Sequence, residues 1–409
     1  MEIEKRYNLK EIEEKYKSIQ PKKPEIELPS YVFLTPIGLK FLSTTANPLI
    51  VIRRYQNING YTKEGFVTKS FNAQVMQKMI MKFYVDEIYS AQPELLPLRN
   101  EIISTNNLIV YAILYRKLTP TLAKSLFESK VVKEFNRKHP KESMTELNHI
   151  SEQKVELLYK KYGHLLEGIK ARIREEITQK ILENHQLNEE DQFTRIRALP
   201  KFIDWIDKRV WFLFFIIYQT EFRDRMLQNF QSLIYHYLEH TVIATHLSNL
   251  IMEFVQNAEK AHFLLLANKY FGIPINKADS FIRNRENRLK LRNIALEKKQ
   301  NLEISWILNP ERLISFSLSR LQIVISNYGL IDEATTQKLR KKMKTDVEGI
   351  SIASFYEDID DAEKLGAGLG LLYNSYLEQI CRKEGIQYKC VIYPEPKTQK
   401  TTVKIDLVL

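Results

Sequence analysis

Two short stretches of this chain hold residue types that could handle a phosphorylated ligand. In MEFVQNAEKA, residues 252–261, Glu253 and Asn257 stand four apart, with Lys260 three further on. On a helix that spacing stacks a carboxylate and an amide oxygen one turn apart on one face. Such oxygens can position a water and hold magnesium, which prefers oxygen ligands, and Lys260 is placed to meet phosphate oxygens. In GAGLGL, residues 366–371, three glycines fall within five positions of a chain that has only 12 glycines in 409 residues. Glycine lets backbone approach a phosphate, and the free N–H groups of a following helix favour negative charge. Either stretch alone reads equally as an amphipathic helix with its polar residues in water, or as a common Gly-rich turn.

The elements that must position these residues can be read along the chain. Residues 1–28 alternate charges and run into Pro21, Pro24 and Pro29, which predicts a polar helix followed by a linker. Residues 29–120 have a mixed pattern. Leu49 to Ile52 and Gly65 to Thr68 read as short strands around an Asn59-Gly60 turn, and Ala73 to Ser90 has helical spacing through Val75, Met79, Phe83 and Ile88. This predicts a small α+β domain for input or partner binding.

Residues 121–240 read as mainly helical. Glu152 to Asn184 lacks proline and carries apolar residues at helical intervals, the pattern of long helices that bundle or pair, so a homodimer is expected through this region. The most apolar run, Val210 to Tyr218, is too short to span a bilayer and is predicted as a buried helix segment.

From 241 onward the first helix carries the Glu253 and Asn257 pair beside an apolar stripe of Leu247, Leu250, Ile251, Phe254 and Ala258. A basic insert over 277–299 holds eight Lys and Arg against three acids, without the interleaved aromatics of a nucleic-acid module, and is read as a solvated helical face. Leu302 to Leu308, Leu313 to Ser319 and Leu321 to Ser326 predict an antiparallel meander that ends in the turn Asn327-Tyr328-Gly329. Residues 332–365 have the polar character of a lid. Leu371 to Glu384 predicts a helix stopped by Gly385, before two strands, Tyr388 to Tyr393 and Thr401 to Leu409.

Composition bounds the rest. Apolar residues at 44% and charged residues at 27% describe a folded chain, and the net charge of +11 suits a nucleotide binder as well as an anionic surface. Cys381 and Cys390 give no disulfide framework, and the charged N-terminus lacks the apolar core of a signal peptide. A cytoplasmic protein without a membrane span, and without a nucleic-acid partner, is the expectation.

The order of the pieces resembles the GHKL nucleotide-binding domain of sensor histidine kinases, gyrase-type topoisomerases, heat-shock chaperones of the ninety class and mismatch-repair ATPases. MEFVQNAEKA is similar to that family's N-box, LQIVISNYGLIDEA (321–334) stands where its first glycine box belongs, GAGLGL matches the second, and TTVKIDLVL resembles its last strand. The resemblance implies an α+β chain: a C-terminal α/β sandwich, with a mixed sheet packed on helices over 241–409, preceded by a helical stem (121–240) and a small mixed domain (29–120). It implies ATP bound with magnesium at Asn257, and Glu253 as the proton-accepting carboxylate. Lys260, Gly366, Gly368, Leu369 and Gly370 would contact phosphates, and Asn327, Gly329 and Thr402 would complete the ATP site.

Asn327 replaces the family's usual aspartate, and Ile331 stands where a further glycine is usual. The chain ends with the site's last strand, as in the kinases. The expected function is therefore histidine-kinase-like transfer of the ATP γ-phosphate to a protein side chain, with His149 and His164 as phosphoacceptors to weigh. A non-catalytic ATP switch and a serine/threonine kinase of the anti-sigma-factor type are the alternatives.

Overall fold

The computed structural model describes residues 25–45, 51–56, 62–308, 320–331, 337 and 369–408. These fall into two compact units, one built on 25–113 and 243–409, the other on 114–242. The first begins with β1 (Glu25–Ile26), β2 (Ser30–Leu34), α1 (Pro36–Thr45), β3 (Arg53–Gln56), β4 (Thr62–Thr68), β5 (Phe71–Asn72), α2 (Ala73–Met81) and β6 (Val85–Gln92). Asn72 starts α2 by accepting hydrogen bonds from the Gln74 and Val75 amides. Phe83 ends that turn of chain with φ 59°, while the Tyr84 amide returns to the Met79 carbonyl at 2.9 Å. The single helix expected over 73–90 is therefore two elements: the left-handed residue stops α2, and Ile88 belongs to a strand. Helix α3 (Arg99–Glu128) follows and continues past residue 113.

The second unit, 114–242, is helical throughout its regular elements among the described residues. It holds α4 (Lys130–Lys138), α5 (Glu152–Leu182), α6 (Glu189–Trp205), α7 (Lys208–Tyr218) and α8 (Arg223–Glu239). Helix α5 buries Val155, Leu158, Leu166, Ile169, Ile173, Ile177 and Ile181, one stripe of the 3.6-residue period. Asp207 caps α7, and Trp211, Phe214 and Phe230 pack ring against ring at 4.8–5.7 Å. Burying one such side chain is worth about 1.5–3 kcal/mol. The Val210 to Tyr218 run is thus a core helix, as its apolar density predicts. No helix among the described residues is long and apolar enough to cross a membrane.

The chain re-enters the first unit through α9 (Val242–Phe271), α10 (Ala278–Arg283), α11 (Arg285–Glu297), β7 (Leu302–Ile307), β8 (Arg320–Tyr328), α12 (Leu369–Lys383), β9 (Gln387–Glu395) and β10 (Lys400–Val408). Among the described residues eight strands form one sheet in the order β3-β4-β2-β6-β7-β8-β10-β9, and β1 pairs separately with β5. All the pairings of that sheet among the described residues are antiparallel, where a mixed sheet is the expectation. Trp306 of β7 is fully buried, and its indole N–H reaches the Asn106 side-chain oxygen at 3.4 Å.

The β6–β7 pairing, Glu87 to Gln92 against Leu302 to Ile307, joins residues 25–113 to residues 243–409 within one sheet. The separate domains expected over 29–120 and 241–409 therefore share one sheet and one unit, and the helical unit is inserted between their halves. Val51 and Ile52 are exposed and irregular, and the strand begins at Arg53. The polar segment 1–24, residues Leu49 and Ile50, the Asn59-Gly60 turn, the strand expected over 313–319 and the lid segment from 332 to 365, apart from Gln337, lie outside the described residues.

Candidate functional site

The candidate site is organised by α9. Apolar residues Leu247, Leu250, Ile251, Phe254 and Ala258 are buried and fix which way the helix faces. Glu253, Asn257, Lys260 and Leu264 then form a half-buried stripe along one side. Two contacts lie toward the two ends of that stripe along the axis, the second of them turned about 120–180° round the helix from Glu253. Toward its N-terminal end His246 meets Tyr376 of α12 edge to face, at 5.1 Å between ring centroids. Toward its C-terminal end Leu265 packs against Gly329, and His262 lies 6.3 Å from the Tyr328 ring. Gly329 has φ +106°, which favours glycine, and a Cβ there would stand 3.0 Å from the end of the Leu265 side chain, which would have to shift slightly.

The loop that leaves β8 is held by β10. Thr401 donates its hydroxyl to the Gly329 carbonyl at 2.6 Å and accepts the Ile331 amide at 3.1 Å. The Gly329 amide binds the Gln399 carbonyl at 2.9 Å. Asn327 is buried and pairs in register with Thr401, while its amide nitrogen donates to the Tyr328 carbonyl at 3.0 Å. That hydrogen bond leaves the Asn327 side-chain oxygen as the acceptor.

Thr402 pairs in register with Ser326, and their hydroxyls share a hydrogen bond of 2.9 Å. Successive strand residues face opposite sides of a sheet, so Thr402 shares a face with Ser326, and Thr401 shares one with Asn327. The threonine that joins Asn327 and the Gly329 loop is therefore Thr401, not Thr402.

Charge at the site is arranged by partners that the sequence pattern does not single out. Burial raises the Glu253 carboxyl above its ordinary pKa, and the Arg99 guanidinium opposes that. Lys260 forms an ion pair with Asp279 of α10 at 2.9 Å, and Arg283 shares the same carboxylate at 2.7 Å. The hydrogen bond from Lys260 is the main reason the Asp279 carboxyl lies below its usual range.

Glu259, only 1% exposed, accepts the Leu95 and Leu96 amides at 2.7 and 2.9 Å and pairs with Arg288 of α11. Arg288 also binds Glu94 at 2.7 Å. Burial raises the Glu259 carboxyl, and these donors work against the rise. His262 is fully buried, and burial pushes its imidazole down to about 4 against the Gln300 and Tyr328 backbone groups.

Leu369 and Gly370 open α12, while Gly366 and Gly368 lie outside the described residues. His149 sits in the short 3-10 turn Leu147–His149, exposed, 3.3 Å from the Glu146 carboxylate. His164 is exposed on α5. Among the described residues no cluster of three or more His, Cys, Asp and Glu could hold a metal. Glu253 and Asn257 offer the oxygen-ligand type that magnesium prefers, an ion that takes one or two protein ligands and fills its other positions with water and substrate phosphates. A cation would also offset the burial that disfavours the Glu253 charge.

Residues 21–409 match the sequence profile of a family of unknown function, DUF8084, and the chain belongs to that family. It is similar to an uncharacterized protein of Treponema pallidum (strain Nichols), 23% identical over 394 residues that cover 95% of this chain and 99% of the relative. No solved structure matches it.

Proposed function

We propose that this protein binds ATP with magnesium along α9 and acts as a histidine-kinase-like signalling protein, transferring the γ-phosphate to a protein side chain. One observation carries the reading. Along the axis of α9, Glu253 and Asn257 fall between His246, which meets Tyr376 of α12 (opening at Leu369 and Gly370), and Leu265, which packs against Gly329 about 120° round the helix from Glu253. Those are the elements a nucleotide would need at its phosphate and base ends.

In this reading Asn257 holds the metal through its amide oxygen, and the Glu253 carboxylate accepts a proton from the attacking group. Burial raises its pKa, which makes the carboxylate a stronger proton acceptor once ionised. Magnesium, when bound, supplies positive charge to the phosphate oxygens. The Asn327 side-chain oxygen accepts a hydrogen bond from the adenine amino group, and Thr401 keeps the adjoining loop in place.

The competing reading, a non-catalytic ATP switch, is favoured by the Lys260 ion pair with Asp279, because a lysine so engaged is not free for phosphate. Binding would then exchange that pair for a nucleotide contact and change a protein interface.

The test is magnesium-dependent ATP binding by wild type and Asn257→Ala, followed with γ-labelled ATP. The kinase reading expects binding lost in the variant and acid-labile label on the wild-type protein. Label found only on an added protein points to a serine/threonine kinase. Tight binding with no label leaves the switch, and absence of binding in both proteins removes the nucleotide reading altogether.

A further inference from the structure

Helix α11 has one face that the described residues of its own unit leave largely exposed. Asn284 caps it through the Glu286 and Asn287 amides, so it is a well-formed helix of 13 residues. Leu291 and Ala295 turn inward onto Phe263, Leu266 and Ala267. Arg288 is held by Glu94 and Glu259. On the outer side Arg285, Leu289, Arg292 and Leu296 recur at i, i+4, i+7 and i+11. At about 100° per residue they fall within an arc of about 60°. The two leucines are 55% and 49% exposed. Arg285 has no ion pair among the described residues, and Arg292 reaches Glu94 only at 3.9 Å.

We propose that this face docks an acidic amphipathic helix of a partner protein. Leucines seven residues apart lie about 10 Å from each other along the axis, which is one heptad of an opposing helix. Arginines alternating with them select carboxylates at the positions beside the partner's apolar seam. A nucleic acid fits less well, because exposed leucines between the arginines would face phosphates and no aromatic ring stands among them to stack on bases. A lipid surface fits less well too, because two leucines give little apolar area to insert.

The experiment is a fluorescence titration of the full chain with a labelled synthetic helix carrying leucines at heptad spacing flanked by glutamates, against a scrambled peptide of the same composition. Wild type should bind the patterned peptide at about 50 mM salt, and at least about tenfold more weakly at about 300 mM, since such charge contacts are screened. Leu289→Ser with Leu296→Ser should weaken binding at least about tenfold without moving the thermal midpoint. Arg285→Glu should flatten the salt dependence. Equal binding of the scrambled peptide, unchanged affinity in the leucine variant, or no binding at the lower salt would each overturn the proposal. So would preference for phosphatidylserine vesicles or duplex DNA over the peptide, or self-association that the leucine variant abolishes.

Discussion

The two units solve the same problem of burial in different ways. The helical unit over 114–242 fills its interior with Trp211, Phe214, Phe230 and the apolar stripe of α5, and its helices pack on others of the same continuous stretch of chain. The sheet unit pairs strands more than two hundred residues apart in the chain. It also buries polar groups: Glu259, Glu87, Asn106, Gln322, Asn327 and Thr402. A buried polar group costs free energy unless it is paired, so its partners are over-determined where an apolar core is merely well packed. The helical unit buries fewer such groups, Thr178, Arg195 and Thr241 among them, and the unit with the more polar interior is also the one that carries the candidate site, where such specificity is useful.

The largest test of this contrast is Glu259→Ala. Removing the carboxylate leaves the Leu95 and Leu96 amides and the Arg288 guanidinium without it, and we expect a loss of about 3–5 kcal/mol in urea unfolding. Trp211→Ala in the helical unit should cost a similar amount for a different reason, the cavity it leaves. A double comparison with Glu259→Gln separates the two causes. An isosteric amide should still lose most of the stability at Glu259 if pairing, not packing, is what matters there.

Next in size is the pH response of His262. Its folded pKa of about 4 lies below the ordinary 6.5, so between those values the unfolded chain binds a proton that the native chain refuses. Stability is full above that ordinary value, is lost as pH falls, and levels off below the folded one, a total of about 3 kcal/mol at about 1.4 kcal/mol per pH decade. In His262→Gln the slope over that window should shrink, as read from urea midpoints across it. A slope equal to that of wild type would mean another group carries it.

Glu253 works in the opposite sense. Burial raises its pKa, so the native state keeps its proton to higher pH than the unfolded chain, and stability falls as pH rises above the ordinary 4.5. Glu253→Gln should therefore be more stable than wild type at neutral pH, with the gain vanishing below 4.5. Loss of phosphoryl transfer alongside that gain would mark a residue kept for chemistry rather than for folding.

The smallest effect concerns the thiols. Burial pushes both Cys381 and Cys390 up to about 12, so neither should react with iodoacetamide at mildly alkaline pH until the sheet unit unfolds. Fast labelling of the native protein would show that this part of the unit opens locally.

Local pattern was enough for much of this. The apolar density of Val210 to Tyr218, the 3.6-residue stripe of α5 and the alternation of β7, β8 and β10 depend on neighbours a few positions away, and they are legible in the sequence alone. The spacing of Glu253, Asn257 and Lys260 was legible for the same reason, and so was the glycine at 329 that the turn favours. What the sequence could not decide depended on register and on long-range pairing. The sheet joins β6 to β7, more than two hundred residues apart in the chain, because a strand edge is completed by whichever strand the whole fold brings to it. Thr401 stands across from Asn327, while its neighbour Thr402 faces the other side, since a shift of one residue reverses every side chain. Glu259 and Asp279 look like ordinary surface charges, and only the approach of Arg288 and Lys260 from other helices gives them their roles.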